Sequence, residues 1–529
     1  MLACSSSDHP PLLEEGPKGR PVERIPARGA AFQPHVCWVT PPTTYAADCG
    51  TVTTTAYSDG SSGAPVELAV AVIYSNGDAV AREPVVYLDG GPGAGSLMGL
   101  FGDSVPFTSV LEDHDLVLFD QRGTGFSSPK PDCDLSDSAI MSPDVAALDA
   151  GATDAGAKVP LLTQIARCRA QAASGIDLAM FRSAENAADA AAVQRALGYE
   201  RVSLYGISYG TRYALTALRD HPAGISSVII DSVVPLQVDL IGEQGANVYR
   251  AIHLIGAACS AQPPCAAMYG DVEAKELAAL ERLDATPPSV TLRDGSTVVV
   301  PASLAASLFI TFMYSPETIS LLPELVQEVT DQDYSALATL LSSQHLASPL
   351  IDTATYLSVT CADEVPFSSP DALDRNLAGV PPPWRRWVAP SSFFDICKIW
   401  GVPPSPPVEN EAVASDVFAL VTSGQFDPVT PPSYGALAAR TLSRSRNVVF
   451  SGESHGSTIG TCGKNVVHAF LSDPSSPYDA SCEKASRLSF QSLATPAPGA
   501  AIRFDTSGSR PTREVIETVR RRLPFPIWQ

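Results

Sequence analysis

Residues Gly206 to Gly210 read Gly-Ile-Ser-Tyr-Gly, with one serine held between two glycines. The stretch before them, Tyr199 to Tyr205 (YERVSLY), is a short β-like run with a buried look. The stretch after them, Thr211 to Arg219 (TRYALTALR), suits a helix. A chain that passes from strand straight into helix must turn within a few residues. Small residues two before and two after Ser208 permit that turn and present the hydroxyl at its tip, the G-x-S-x-G arrangement. This is the feature that most constrains the fold, because it needs a strand set in a sheet with a helix packed back against it.

The rest of the chain repeats the pattern. Residues 31 to 80 hold alternating stretches, VTTTAY and VELAVAVIYS, which read as an antiparallel hairpin or meander. Pro84 then introduces PVVYLDGGPGAG, an apolar strand running into a glycine-rich loop, and HDLVLFDQRGTGFS is a second strand and loop. Residues 183 to 197 carry a helical pattern, and Ile225 to Val233 (ISSVIIDSV) is another buried strand. Strands alternating with helices predict an α/β fold, a mostly parallel central sheet covered on both faces. The middle differs: GANVYRAIHLIGAACS, EAKELAALERLD, PASLAASLFITFMY and ISLLPELVQEV are helical. The β pattern resumes at VFALVTSGQFDPVTP and RNVVFSGESHG. The expected organisation is a disordered leader over 1–30, the first part of an α/β domain over 31–235, a mainly helical cap over 236–405, and the rest of the α/β domain over 406–529. That last part carries a C-terminal extension with one more helix, TREVIETVRRRL.

A serine hydroxyl is a poor nucleophile near neutral pH and needs a base in hydrogen-bond reach and an acid to orient that base. Asp427, in SGQFDPVTP, and His455, in GESHGS, each follow a strand-like run. The order Ser208, Asp427, His455 is that of the α/β-hydrolases. The competitors fit less well. His468 falls inside the helical VVHAFL, Asp416 precedes its strand, and Asp231 ends a strand too early in the chain. An oxyanion hole needs backbone N–H groups. One is that of Tyr209, after the serine, and the other belongs to the loop Asp89-Gly90-Gly91-Pro92-Gly93. That loop lacks the GxGxxG and GKS phosphate-binding patterns, and Pro92 removes an N–H, which argues against a nucleotide. In DQRGTGFS, Arg122 is expected to brace its loop through carboxylate or carbonyl bonds.

The formal charge of −22 over 529 residues argues against nucleic acid and anionic membranes as partners. No 18-residue apolar run is present, so no membrane span is expected. Ten of the eleven cysteines fall into sequence neighbours, Cys37 and Cys49, Cys133 and Cys168, Cys259 and Cys265, Cys361 and Cys397, Cys462 and Cys482. Five local disulfides and an oxidising compartment are the preferred reading, with reduced, buried cysteines as the alternative. With no CxxC pair and few histidines, no metal site and no cofactor are expected. The eleventh, Cys4 in Met1-Leu2-Ala3-Cys4, resembles the lipidated cysteine of a bacterial lipoprotein signal. The basic and apolar regions that go with such a signal would then lie upstream of Met1, and Cys4 would be a lipid anchor.

Together GGPG, DQRGTGFS, GISYGT, GQFDPVTP and the ESHG histidine resemble the proline iminopeptidase and tripeptidyl aminopeptidase group of α/β-hydrolases. The likeness runs from about Cys37 to Cys482, and the cysteine positions and CADEVPF resemble its secreted branch. The resemblance implies a secreted or periplasmic bacterial serine exopeptidase that needs no metal. It would release residues from the free N-termini of short peptides through an acyl-enzyme. It implies Ser208, Asp427 and His455 as the triad and Gly91 and Tyr209 as the hole donors. Acidic residues associated with the cap would take the substrate ammonium, Glu364 and Asp363 first and Glu243 second. One departure is Asp89, where many relatives carry histidine or an apolar residue; a carboxylate there harms the hole unless it points away or binds an N–H. The alternative function is a carboxylesterase acting on small acyl esters, which needs the same triad and hole but no ammonium pocket.

Overall fold

The computed structural model describes residues 32–61, 63–76, 83–101, 107–131, 133, 155–344, 351–389, 391–479, 481–484 and 487–490. The expected leader with Cys4 and the helix expected over 512–523 lie outside them. Among the described residues nine strands form one sheet: β1 (Phe32–Pro34), β2 (Ala47–Thr54), β3 (Val66–Ile73), β4 (Val85–Leu88), β5 (Leu116–Phe119), β6 (Val202–Ile207), β7 (Ile225–Asp231), β10 (Ser415–Gly424) and β11 (Leu442–Phe450). Their spatial order is β1-β2-β3-β5-β4-β6-β7-β10-β11. A separate hairpin, β8 (Ser289–Thr291) and β9 (Thr297–Val299), lies in the inserted region.

The first strands are antiparallel, β1 to β2, β2 to β3 and β3 to β5, whereas every pairing from β5 to β11 is parallel. The sequence explains the difference. VVYL of β4, LVLF of β5 and VSLYGI of β6 are buried at every position, as strands covered on both faces must be. β2, near the sheet edge, has exposed and half-exposed threonines. Register is continuous across the centre, with Leu88 beside Gly206 and Ile207 beside Asp231. The carboxyl ends of β4, β6, β7, β10 and β11 therefore share one rim of the sheet, the place where parallel α/β sheets bind ligands.

Arg122 fixes the turn after β5. Its guanidinium is buried, forks onto both carboxylate oxygens of Asp189 at 2.7 Å each, and donates to the carbonyls of Ala56 (2.6 Å), Met180 (3.1 Å) and Thr55 (3.2 Å). Such a bidentate pair suits a charge that must leave water. Helix Ser183–Ala196, which bears Asp189, and the end of β2 are thereby tied to the DQRGTGFS turn.

Between β7 and β10 the chain is mainly helical, but its helices do not share one core. Helices Leu240–Ser260, Val272–Ala285, Ala302–Phe312, Leu322–Thr330 and Ser335–Gln344 surround a core of their own built on Ile252, Leu280, Phe309, Leu325 and Leu337. Helices Thr353–Asp363 and Phe393–Trp400 instead contribute Leu357, Phe393, Ile396 and Trp400 to the core of the sheet. The Cys361–Cys397 disulfide joins these two helices. The other disulfides are Cys37–Cys49, Cys133–Cys168, Cys259–Cys265 and Cys462–Cys482, so sequence neighbours pair throughout.

Replacing Arg122 by methionine leaves the Asp189 carboxylate buried without its counter-charge. We expect a loss of about 3–5 kcal/mol in unfolding free energy, read from urea denaturation, with partial recovery when Asp189→Asn is added.

Candidate active site

Ser208 follows β6 with φ 57° and ψ −127°, a backbone region that a non-glycine residue enters only under strain, typically about 1–3 kcal/mol. Its neighbours make this possible. A Cβ at Gly206 would meet the Gly210 carbonyl oxygen at 2.5 Å, and one at Gly210 would lie 1.9 Å from the Leu88 oxygen. Both positions must therefore be glycine for the helix Tyr209–Asp220 to fold back so tightly onto β4 and β6. Ser208 sits at the N-cap of that helix, yet its side chain makes no capping bond. Its Oγ is thus not consumed by the helix, and the helix start favours developing negative charge nearby.

Asp427 lies in the turn after β10. Its Oδ1 accepts from the backbone N–H groups of Val429 (2.9 Å) and Thr430 (2.8 Å). Its Oδ2 accepts from Thr430 Oγ1 (2.6 Å) and from His455 Nδ1 (2.9 Å). Burial raises the Asp427 carboxyl, but the His455 charge and bond, with the Thr430 bonds, outweigh it and hold the group below the usual range. Burial lowers the His455 imidazole, and Asp427 outweighs that in turn, so its net shift is upward. With Nδ1 donating to Asp427, Nε2 is the nitrogen left to accept a proton. It is buried and has no hydrogen-bond partner among the described residues.

Asp231 joins the serine turn to the histidine loop. Its carbonyl accepts from Ser208 N (3.0 Å). Its carboxylate accepts from the backbone and hydroxyl of Ser457 (3.1 and 2.5 Å) and of Thr458 (2.9 and 2.5 Å). Ser232, also at positive φ, adds a bond from Gly456 N (2.8 Å). The inserted region reaches the same loop. His455 N donates to Tyr314 O (3.1 Å), and the Tyr314 ring stands edge-on to the imidazole with centroids 5.0 Å apart. Thr430 lies inside the GQFDPVTP motif, but Asp231 and Tyr314 carry no motif of their own. The one sequence signal was that Asp231 closes a strand beside the elbow.

The departure at Asp89 resolves in the loop after β4. Asp89 is buried, and its Oδ1 accepts from Gly90 N (2.8 Å) and Tyr87 OH (3.2 Å), while Oδ2 accepts from Ser96 Oγ (3.1 Å). The carboxylate binds an N–H, and the Gly90 N–H is consumed by it. Gly91 has φ +107°, and a Cβ on Gly90 would stand 3.2 Å from Ser208 Cβ, so the loop lies against the elbow. Tyr209, as the first residue of its helix, has an N–H with no intrahelical carbonyl to serve.

The three acidic candidates differ. Asp363 is buried with both oxygens engaged: Oδ2 accepts from Ser183 N (2.8 Å) and Ser183 Oγ (2.6 Å), and Oδ1 from Ser405 Oγ (2.5 Å). Glu364 Oε1 lies 2.9 Å from Arg212 Nη1, an ion-pair contact without hydrogen-bond alignment. Burial, countered by Arg212 and reinforced by Asp363, Asp239 and Glu409, pushes Glu364 up to about 7. Glu243 lies in the first turn of helix Leu240–Ser260. On that helix Asn247 donates to Tyr434 OH (3.0 Å) and Arg250 to the Asp427 carbonyl (2.5 Å). Positions 243, 247 and 250 share one face, so Glu243 stands on the face turned to the Asp427 loop. The charges of Glu243 and Glu364 both act on the Tyr434 hydroxyl and, with its burial, raise it.

Among the described residues no group of three or more His, Cys, Asp or Glu could hold a metal ion, and no helix is long and apolar enough to cross a membrane.

A nine-stranded, mostly parallel sheet with an elbow serine and an Asp–His pair on its rim is an α/β-hydrolase fold. A family model described as alpha/beta hydrolase fold matches residues 83–249, and one described as TAP-like protein matches residues 388–482. The chain is 24% identical over 472 residues to serine protease Hip1 of Mycobacterium tuberculosis, covering 84% of this chain and 86% of that one. It is 27% identical over 201 residues to the tripeptidyl aminopeptidase of Streptomyces lividans, 37% of each. A solved proline iminopeptidase from Mycobacterium smegmatis covers 80% of this chain and 98% of that one, at 14% identity and a TM-score of 0.36. The fold is that of the α/β-hydrolases, residues 388–482 are similar to the TAP-like family, and these matches support a hydrolase of the serine-peptidase type. Its five disulfides fit an extracellular or secreted bacterial protein.

The raised His455 implies that activity falls with acid at a pH above the ordinary histidine value of about 6.5, because the base must be neutral. Asp427→Asn removes the anion that holds the imidazole up. The acid limb of kcat/KM should move to lower pH, and kcat should drop by about 10⁴.

Proposed function

We propose that the chain is a serine exopeptidase that releases an N-terminal residue or tripeptide from short peptides through an acyl-enzyme. Ser208 Oγ attacks the scissile carbonyl while His455 Nε2 takes its proton. Asp427 holds the tautomer and the imidazolium that forms. The N–H groups of Tyr209 and Gly91 receive the oxyanion. His455 then passes its proton to the leaving amine, and water repeats the sequence to free the acyl group. No metal or cofactor takes part in any of these steps. The observation that carries the reading is the buried Asp427–His455 bond, which leaves Nε2 as the acceptor, on a loop that Asp231 ties to the strained turn of Ser208.

The preference for a free N-terminus rests on the acids around Tyr434. Glu364 and Glu243 are the groups we assign to the substrate ammonium; Asp363, with both oxygens already bonded, instead anchors the chain beneath them. A buried carboxylate paired with an amine in a closed site gives a strong, charge-assisted bond. The Arg212 contact favours the other reading, a carboxylesterase for small acyl esters, since it already balances Glu364.

Paired arylamides separate the two. A tripeptidyl or aminoacyl arylamide with a free amine should be cleaved, and its N-acetylated twin hardly at all; equal rates would leave the esterase reading standing. Glu364→Gln should raise KM for the free-amine substrate about 10- to 100-fold, the usual weight of a bond to a charged group, and leave turnover of an uncharged acyl ester within a few-fold. Because Glu364 titrates at about 7, amine recognition should weaken as pH falls below that value, an effect the ester would not show.

A further inference from the structure

Gln121 lies in the DQRGTGFS turn, fully buried, one residue before the clamped Arg122. Both hydrogens of its amide nitrogen are used on the loop after β4, with Nε2 donating to the carbonyl of Asp89 (3.1 Å) and to that of Gly90 (3.1 Å). The Gly90 carbonyl and the Gly91 N–H belong to one planar trans peptide, in which C=O and N–H point in opposite directions. Holding the carbonyl toward Gln121 therefore aims the Gly91 N–H to the other side of the loop. The preceding peptide is pinned at both ends too, its carbonyl on Gln121 and its Gly90 N–H on Asp89 Oδ1. Gly91, at φ +107° and free of a side chain, has no steric preference of its own that would fix the plane.

The far end of the Gln121 amide is held as well. Asn186 Nδ2 donates to Gln121 Oε1 (3.4 Å) and to the Tyr209 hydroxyl (2.9 Å). Ser183 Oγ spends its one hydrogen on Asp363 Oδ2 (2.6 Å), so in its contact with Ser183 Oγ (3.0 Å) the Tyr209 hydroxyl is the donor. Each donor in this chain faces an acceptor, and it ends on an acceptor-only carboxylate. It leaves one orientation for the Gln121 amide: oxygen to Asn186, nitrogen to the two loop carbonyls. The same Asn186 braces Tyr209, the residue that carries the second N–H.

We propose that Gln121, oriented by Asn186, is a positioning residue that sets the peptide plane of the Gly91 oxyanion donor. The proposal rests on the acyl-transfer reading of the site. A buried polar network of this kind could serve stability alone, so the test needs a readout that stability does not move. A misaimed oxyanion donor weakens the transition state and spares ground-state binding.

The test uses purified full-length protein, an activated acyl ester, the free-amine arylamide and a peptide aldehyde, whose adduct carries the oxyanion. Gln121→Met keeps the length of the side chain and removes its donors. It should lower kcat about 100-fold on both substrates, the scale of losing one hole donor, with KM within about threefold and the aldehyde weakened by a similar factor. Asn186→Asp removes both donors of the hub at constant shape and should lower kcat about tenfold in the same pattern. If Gln121→Met does not fold, Asn186→Asp decides by the same readouts. A folded variant with kcat within threefold of the parent, or with its loss in KM alone, overturns the proposal. A parent protein that turns over neither substrate overturns the acyl-transfer reading itself, and this proposal with it.

Discussion

The constraint on which the site depends is a serine backbone held at positive φ. Ser208 would relax toward ordinary helix or strand geometry if its surroundings allowed it. They do not, because Gly210 lies against the Leu88 carbonyl and Gly206 against Gly210, leaving the turn no room to open. The bond from Ser208 N to Asp231 O adds a fixed point on the neighbouring strand. Asp231 then uses its carboxylate to hold Ser457 and Thr458, so one residue at the end of β7 sets both the Ser208 turn and the loop carrying His455. The strain is held by packing over the whole sheet rim, which is how a local cost of a few kcal/mol persists in a stable fold.

The interior around this rim is unusually rich in charge. Arg122 with Asp189, and Arg212 with Glu364, are fully or nearly buried ion pairs. Such pairs contribute little net stability against an apolar replacement, but each strongly penalises arrangements that separate its partners. They select geometry. Arg122 holds the DQRGTGFS turn, whose Gln121 bonds the glycine-rich loop after β4, and Arg212, which also donates to the carbonyls of Asp363 and Glu409, joins the helix after Ser208 to the chain between the insertion and β10. Tyr314 makes the corresponding link on the other side, from the helical insertion to His455. The helical insertion is thus bonded to the loop that carries His455, and the positions of Tyr314 and of the imidazole are coupled.

Much of this was legible in the sequence because it depends on local pattern. The continuous apolar runs of β4, β5 and β6 announce buried parallel strands, and glycines flanking a serine announce the elbow. Asp427 and His455 stand out as the acid and base candidates because each closes a strand in the right chain order. Each cysteine pairs with its neighbour in sequence, at separations from 6 to 36 residues. Arg122 was readable from its three turn-forming neighbours. What the sequence hides is long-range. Nothing local marks Asp231 as a junction, since its bonds reach residues more than two hundred positions away. Gln121 and Asn186 belong to different elements and meet only in the folded core. Helices Thr353–Asp363 and Phe393–Trp400 read as cap from their place in the chain, yet pack on the sheet, because their apolar faces fit the core there. Asp363 reads as a candidate for the substrate ammonium and instead is bonded to Ser183 and Ser405, partners no spacing rule supplies.

The central claim is that Ser208 is activated by His455, which Asp427 orients. A fluorophosphonate probe tests it directly, because only an activated serine reacts at a useful rate. The account predicts one labelled residue, mapped to Ser208 by peptide mass, with labelling abolished in His455→Ala of unchanged thermal stability. Absence of labelling in the native protein, labelling at another serine, or undiminished labelling without His455 would contradict it.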